Sequence, residues 1–280
     1  MVFKGSPKVI RSIVSESSKF LKTKNRAPLL LNLEFGRFIF KVDNLLQNEL
    51  LARDITHFLS IKLPFVKFVS FDIVPVPEGG ALYEFVENSD TVSDAKKKFD
   101  GSLKLYYKGW PNEQHYLRAF SESLVGFAIQ QYVLQLKDRH NENLMIDGHG
   151  HLFHIDLSYI FNCKLPWGME TVPFKLPKEY IELMGGFDSD NFQLFETLLV
   201  NGFSVLVANM DALLLKLEIF QRMPELHCLE GFSLDKYRKL FPVNGEEVRK
   251  FVERLISDSY DSWRTRKYDS FQFKVNGILP

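Results

Sequence analysis

The chain has 280 residues, 45% of them hydrophobic and 26 of them Phe, enough to bury a large core with room to divide into two lobes. Its 35 basic residues balance 35 acidic ones, which argues against a generally basic surface for nucleic acid. With 2 cysteines, no signal-like apolar start and no run of about eighteen apolar residues, the expected setting is cytoplasmic and reducing, with any membrane contact peripheral.

Residues 1–27 are rich in Lys, Ser and Arg and are expected to form a tail leading into a loop. Pro28 to Leu33 and Phe35 to Lys41 have strand-like content. From Asn44 to Leu59, the residues Leu45, Leu46, Leu50, Ile55, Phe58 and Leu59 recur at helical intervals, which puts Glu49 on a helix just after the strand ending at Lys41. Phe65 to Val74 reads as strand, Pro75 to Gly80 as turn, Ala81 to Val86 as a final strand, and the polar stretch Asn88 to Gly101 as a linker. Beyond it, Leu117, Phe120, Leu124, Phe127, Gln131 and Leu134 predict a long core helix over residues 112–136 that delivers Asp138 at its exit. Helical patterns recur at about 188–208, 211–222 and 246–258, with Asn244 and Glu247 resembling a capping box. The reading is an α+β chain: a tail (1–27), a small β-rich lobe (28–88) and a larger, mainly helical lobe (89–280).

The chemistry sits in Lys137-Asp138-Arg139-His140-Asn141-Glu142-Asn143 and in Asp156 of His154-Ile155-Asp156. Leu144 to Ile146 and His151 to Ile155 read as the arms of a hairpin around Asp147-Gly148-His149-Gly150, which brings Asn143 and Asp156 together at its open end. A carboxylate for an attacking hydroxyl, and an amide oxygen and second carboxylate for a hard metal, are the parts that phosphoryl transfer needs. His149, His151 and His154 invite a zinc reading, but no cysteine accompanies them and they read as turn and strand residues.

This pattern resembles the phosphatidylinositol 3- and 4-kinases and their protein-kinase relatives, which carry Asp-Arg-His-Asn-x-Asn in place of the His-Arg-Asp order. Gln135-Leu136-Lys137, Phe174-Lys175-Leu176, Met184-Gly185-Gly186, Tyr268-Asp269-x-Phe271-Gln272 and Asn276-Gly277-Ile278 are similar to the type III 4-kinases, from about Lys41 to the C-terminus. The resemblance implies a bilobal protein-kinase-like fold and transfer of the ATP γ-phosphate to phosphatidylinositol. It gives Asp138, His140 and Arg139 catalytic roles, and makes Asn143 and Asp156 the ligands of Mg²⁺, with Mn²⁺ as the alternative. Lys41, paired with Glu49, would bind phosphate; Glu84 and Val86 would recognise adenine; and Lys24, with Thr23 and Arg26, would cover the nucleotide. A peripheral position on intracellular, Golgi-like membranes is implied as well. A phosphatidylinositol 3-kinase, a related Ser/Thr protein kinase and a nucleotide-binding scaffold without turnover stay open as alternatives.

The sequence departs from the family pattern at two places. The usual Gly-Asp-Asp-Leu-Arg-Gln before the acidic residue is Asp43-Asn44-Leu45-Leu46-Gln47-Asn48, and Asp-Phe-Gly has become Asp156-Leu157-Ser158. Ser lacks the freedom of Gly at positive φ, so the segment after Asp156 is expected to move less. Between Leu157 and Pro177 only Lys164 and Lys175 are basic, which suits phosphatidylinositol better than its multiply phosphorylated forms. At the C-terminus, Tyr268 and Phe271 are expected to pack inward, leaving Phe273, Ile278 and Leu279 for a bilayer edge.

Overall fold

The computed structural model describes residues 2–3, 6–7, 18–20, 28–34, 36–77, 79–165 and 172–280. Within residues 1–27, β1 (Val2–Phe3) pairs with β2 (Ser6–Pro7), and β3 (Lys19–Phe20) pairs with β4, so part of the expected tail extends the sheet. The N-terminal sheet is antiparallel and five-stranded, in the order β3-β4-β5-β7-β6, with β4 at Leu29–Leu33, β5 at Gly36–Lys41, β6 at Ile73–Val76 and β7 at Gly80–Glu84. Side chains alternate between its faces. Leu31, Leu33, Phe38, Val74 and Leu82 cluster on one face, while Ile73, Ala81 and Tyr83 pack on the other with Leu46 of α1 (Leu46–Lys62). The strand expected over Phe65 to Val74 is shorter: residues 65–72 are irregular, and β6 takes in Pro75. Proline has no N–H for a ladder, and β6 tolerates it because it is an edge strand.

Helix α1 belongs to both lobes. Its Leu46 and Leu50 pack on the sheet, whereas Leu51, Ala52, Ile55 and Leu59 enter the large helical core. The expected linker also folds. β8 (Asp90–Thr91) pairs with β9 (Leu144–Ile146), and α2 (Val92–Lys98) starts where Thr91 Oγ1 accepts the Asp94 N–H at 3.0 Å. The connection between the lobes therefore narrows to residues 85–89.

The large lobe is built around α4 (Glu113–Leu134), which starts at the Asn112 cap and ends at Gln135 in the left-handed conformation. Around it pack α3 (Leu103–Lys108), α5 (Lys178–Met184), α6 (Asp190–Ala208) and α9 (Val248–Ser259), followed outward by α7 (Met210–Phe220) and α8 (Leu234–Arg238). By length and composition α6 could cross a membrane, but its Phe195, Leu199, Phe203 and Leu206 are core residues against α4. Asn244 accepts the Glu247 N–H at 3.2 Å, one half of the expected capping box. The chain ends in α10 (Trp263–Asn276), which lies against the segment Asp138 to Asn143.

Gly126 marks a close approach of α4 to the connection ahead of β6. A Cβ there would sit 2.2 Å from the carbonyl oxygen of Lys67, a backbone atom that a rotamer change cannot move. Gly126→Ala is expected to destabilise the fold by about 2 kcal/mol through overpacking, read as a lower midpoint in urea with an unchanged slope.

Candidate active site

The expected hairpin forms. β9 pairs with β10 (Leu152–His154), with Ile146 opposite Leu152 and Leu144 opposite His154, and the Ile155 N–H donates to Asn143 O at 3.0 Å across its open end. Asp156 follows directly with φ +53°, and Asp138 has φ +65°. Both carboxylate residues thus occupy the left-handed region, which is sparsely populated by L-residues although Asp tolerates it better than most, and here the backbone around them is pinned. Arg139 does that pinning. It is 0% exposed, and its guanidinium donates to the carbonyls of Lys137 (2.7 Å), Ile155 (2.9 Å) and Asp156 (2.7 Å). Its part is therefore to fix the catalytic loop against the hairpin, a positional task rather than the chemical one expected from the sequence.

The Nδ2 of Asn143 donates to Asp138 O at 2.9 Å and to Asp138 Oδ2 at 3.3 Å, which turns its amide oxygen the other way. With the Asp156 carboxylate across the hairpin end, this gives an all-oxygen donor set of the kind a hard divalent cation takes. His140 Nε2 is 3.7 Å from Asp138 Oδ1. Burial lowers the His140 pKa against the opposing pull of Asp138, so the imidazole is neutral at neutral pH. The other histidines have separate partners: His151 Nδ1 lies 2.9 Å from Asp147 Oδ2, and His154 stacks on Phe127 at 3.7 Å between ring centroids.

Across the lobe junction, Lys41 Nζ donates to Glu49 Oε1 at 3.0 Å. Burial alone would lower the Lys41 pKa, but the carboxylates of Glu49, Asp156 and Asp43 outweigh it and keep the ammonium charged. Glu49 is 1% exposed, and burial raises its carboxyl above the usual range. Yet the groups around it donate: Lys41, the Tyr83 hydroxyl on Oε2, and the Ser158 hydroxyl at 3.1 Å on Oε1. That cage fits the carboxylate form. At the lobe connection, Glu84 N–H donates to Asp72 O (2.8 Å), the Asp72 N–H returns to the Glu84 carboxylate (2.9 Å), and Val86 O accepts from Ser89 Oγ (2.6 Å). Thr23, Lys24 and Arg26 lie outside the described residues.

The two cations of the substrate loop part company. Lys164 is exposed, but Lys175 is 1% exposed, with its ammonium on Asp269 Oδ1 (2.8 Å), Asn141 Oδ1 (3.0 Å) and Arg139 O (3.0 Å). All three protons of the ammonium are thus directed at protein oxygens, and a lipid headgroup has no access to them. Lys175 is a strut beneath the catalytic loop and not a headgroup cation.

Tyr268 packs inward as expected, but sequence reasoning missed its place in the site, where its hydroxyl donates to Asp138 Oδ1. Gln272 Nε2 donates to the same hydroxyl at 2.7 Å, and Asn276 Nδ2 reaches Gln272 Oε1. The sequence held a signal: Tyr268, Gln272 and Asn276 recur every four residues, a polar stripe on one helical face. The tail beyond the helix is also built in. Ile278 is 3% exposed and so does not face outward as expected, while Leu279 is half-buried with its carbonyl accepting from Asn141 Nδ2 at 2.9 Å. Deleting residues 273–280 is accordingly expected to lower the melting temperature by several degrees, since burying Ile278 alone is worth about 1.5–3 kcal/mol.

Comparison with known proteins follows the same lines. Residues 38–227 match the family "Phosphatidylinositol 3- and 4-kinase". The chain is 35% identical over 221 residues to a phosphatidylinositol 4-kinase of Dictyostelium discoideum, covering 74% of this chain and 19% of that protein. It is 31% identical over 257 residues to phosphatidylinositol 4-kinase beta of Danio rerio, covering 86% of this chain and 30% of the relative. With the beta form of Sorex araneus it shares 32% identity over 219 residues, 75% of this chain and 27% of the relative. The chain thus spans less than a third of the length of these relatives. The family match contains both the lysine–glutamate pair and the catalytic loop with its hairpin, and the chain belongs to the phosphatidylinositol 3- and 4-kinase family.

Proposed function

We propose that this chain transfers the γ-phosphoryl group of ATP to phosphatidylinositol, at the 4-hydroxyl, with Mg²⁺ as the metal and Mn²⁺ as a substitute. The observation that carries the reading is the meeting of Asp138, Asn143 and Asp156 at one hairpin end, facing a lysine held by a buried glutamate. When bound, the metal would neutralise phosphate charge and align the leaving group. Asp138 orients the attacking hydroxyl and takes its proton, with neutral His140 beside it as a donor to the transferred phosphate. Lys41 binds phosphate oxygens, and the main chain of Glu84 and Val86 meets adenine, as the strand end at the lobe connection allows. The names of the relatives favour the 4-hydroxyl over the 3-hydroxyl.

The proposal extends to a membrane surface. Exposed Trp263, Phe273 and Val275 on α10, among Arg264, Lys267 and Lys274, form a mixed aromatic and cationic face suited to an anionic interface, with exposed Lys164 available to the headgroup. That fits a cytoplasmic enzyme sitting peripherally on intracellular, Golgi-like membranes. The test is labelled ATP with phosphatidylinositol vesicles, resolving the product isomers. The expected result is phosphatidylinositol 4-phosphate from the parent and a loss of at least about a hundredfold in Asp156→Asn. Transfer to the 3-position, transfer to protein alone, or an equally active Asp156→Asn would reject the reading.

A further inference from the structure

The two departures from the family pattern meet in space. Asn48, at the position of the usual Gln before Glu49, donates its Nδ2 to Ser158 O at 2.9 Å and to Cys163 Sγ at 3.3 Å. Ser158, at the position of the usual Gly, donates its hydroxyl to Glu49 Oε1 at 3.1 Å, the same oxygen that holds Lys41. Asn48, Glu49 and Ser158 are all buried, as is Leu157 between the two anchored residues Asp156 and Ser158. The positive φ of this segment falls on Asp156 and Phe161, so Ser158 itself sits where a side chain is accommodated without backbone strain.

We infer that Asn48 and Ser158 form a latch that fixes the segment carrying Asp156 against α1 before any nucleotide binds, with Ser158 as a positioning residue. A glycine at 158 would retain the carbonyl contact but not the hydroxyl, and would uncouple the metal carboxylate from the lysine–glutamate pair. With the hydroxyl present, one buried carboxylate sets both the phosphate-binding ammonium and the metal-binding segment. Nucleotide and metal therefore meet a preformed site instead of ordering it. This rests on the kinase reading for the ligand that Asp156 serves, but not for the latch itself.

Amide hydrogen exchange of the nucleotide-free and metal-free protein tests it directly. The amides of Phe161, Asn162 and Cys163 donate to Leu134 O, Cys228 O and Ile160 O, and Ile155, bonded to Asn143 O, serves as the internal control. Ser158→Ala and Asn48→Ala should each speed exchange at the first three by about tenfold, the worth of one buried hydrogen bond, and leave Ile155 unchanged. The double variant should exceed neither single by more than about twofold, because the two share one latch. In a nucleotide-binding titration without lipid, Ser158→Ala should raise the half-saturating Mg²⁺ concentration about fivefold. Exchange that is unaltered, or that rises equally at Ile155, would overturn the latch. Phosphatidylinositol vesicles left unphosphorylated by a protein that shows these shifts would keep the latch and reject the lipid-kinase reading.

Discussion

Asp138→Asn is expected to lower turnover of phosphatidylinositol about a thousandfold while the apparent affinity for ATP stays within about twofold. The asymmetry follows from the site. The carboxylate of Asp138 is held from several sides, by the Tyr268 hydroxyl on Oδ1 and by Asn143 Nδ2 on Oδ2, and an amide of the same shape keeps the Tyr268 bond through its oxygen. What the variant loses is the second acceptor oxygen and the negative charge that can take a proton from an attacking hydroxyl. In the proposed reading the ATP phosphates meet Lys41, held by Glu49, and neither residue shares a hydrogen bond with Asp138 among the described residues. Steady-state kinetics with varied ATP and varied lipid give the check. A variant that lost ATP affinity and kept its rate constant would move Asp138 out of the acceptor role and into nucleotide binding.

Lys175→Met should destabilise the protein by about 3–5 kcal/mol, since it strands the Asp269 carboxylate in the interior without its cation. The carbonyl of Arg139 and the amide oxygen of Asn141 lose a donor at the same time. Because both lie in the catalytic loop, activity should fall with stability. The compensating double variant Lys175→Met with Asp269→Leu separates the two effects. Removing both charges from a buried pair is often close to neutral, so the melting temperature should recover most of its loss while turnover stays low for want of the strut under Arg139 and Asn141. If Lys175→Met instead melted like the parent and lost only lipid use, Lys175 would be a headgroup cation after all.

These two residues also mark where local pattern stops being informative. Lys175 and Lys164 look alike in the chain, as basic residues of one loop. One is exposed and the other is sealed beneath Arg139, a difference created by α10 packing from more than ninety residues away, with Asp269 as its anchor. The same helix delivers Tyr268 to Asp138. Its polar stripe was visible as a four-residue repeat, but a stripe names a helical face and not the partner that the face meets.

What the sequence by itself determined were the features carried by short spacing. The hairpin follows from two apolar runs around Asp147 to Gly150, and its geometry alone brings Asn143 and Asp156 together. The helix over residues 113–134 follows from its apolar period, as does the placing of Glu49 on a helix just after the strand of Lys41, while their pairing was what the family resemblance implied. In each case the interacting groups lie within a few residues or across one turn, where covalent geometry and local hydrogen bonding leave few alternatives. Tertiary structure decided the rest: the folding of residues 90–98 onto β9, the burial of Arg139 and Lys175, the docking of Ile278, and the meeting of Asn48 with Ser158. These contacts join segments that the chain separates by up to 138 residues, as between Asn141 and Leu279. A buried polar group must find a partner, but which one it finds depends on how whole helices pack, and no local period encodes that choice.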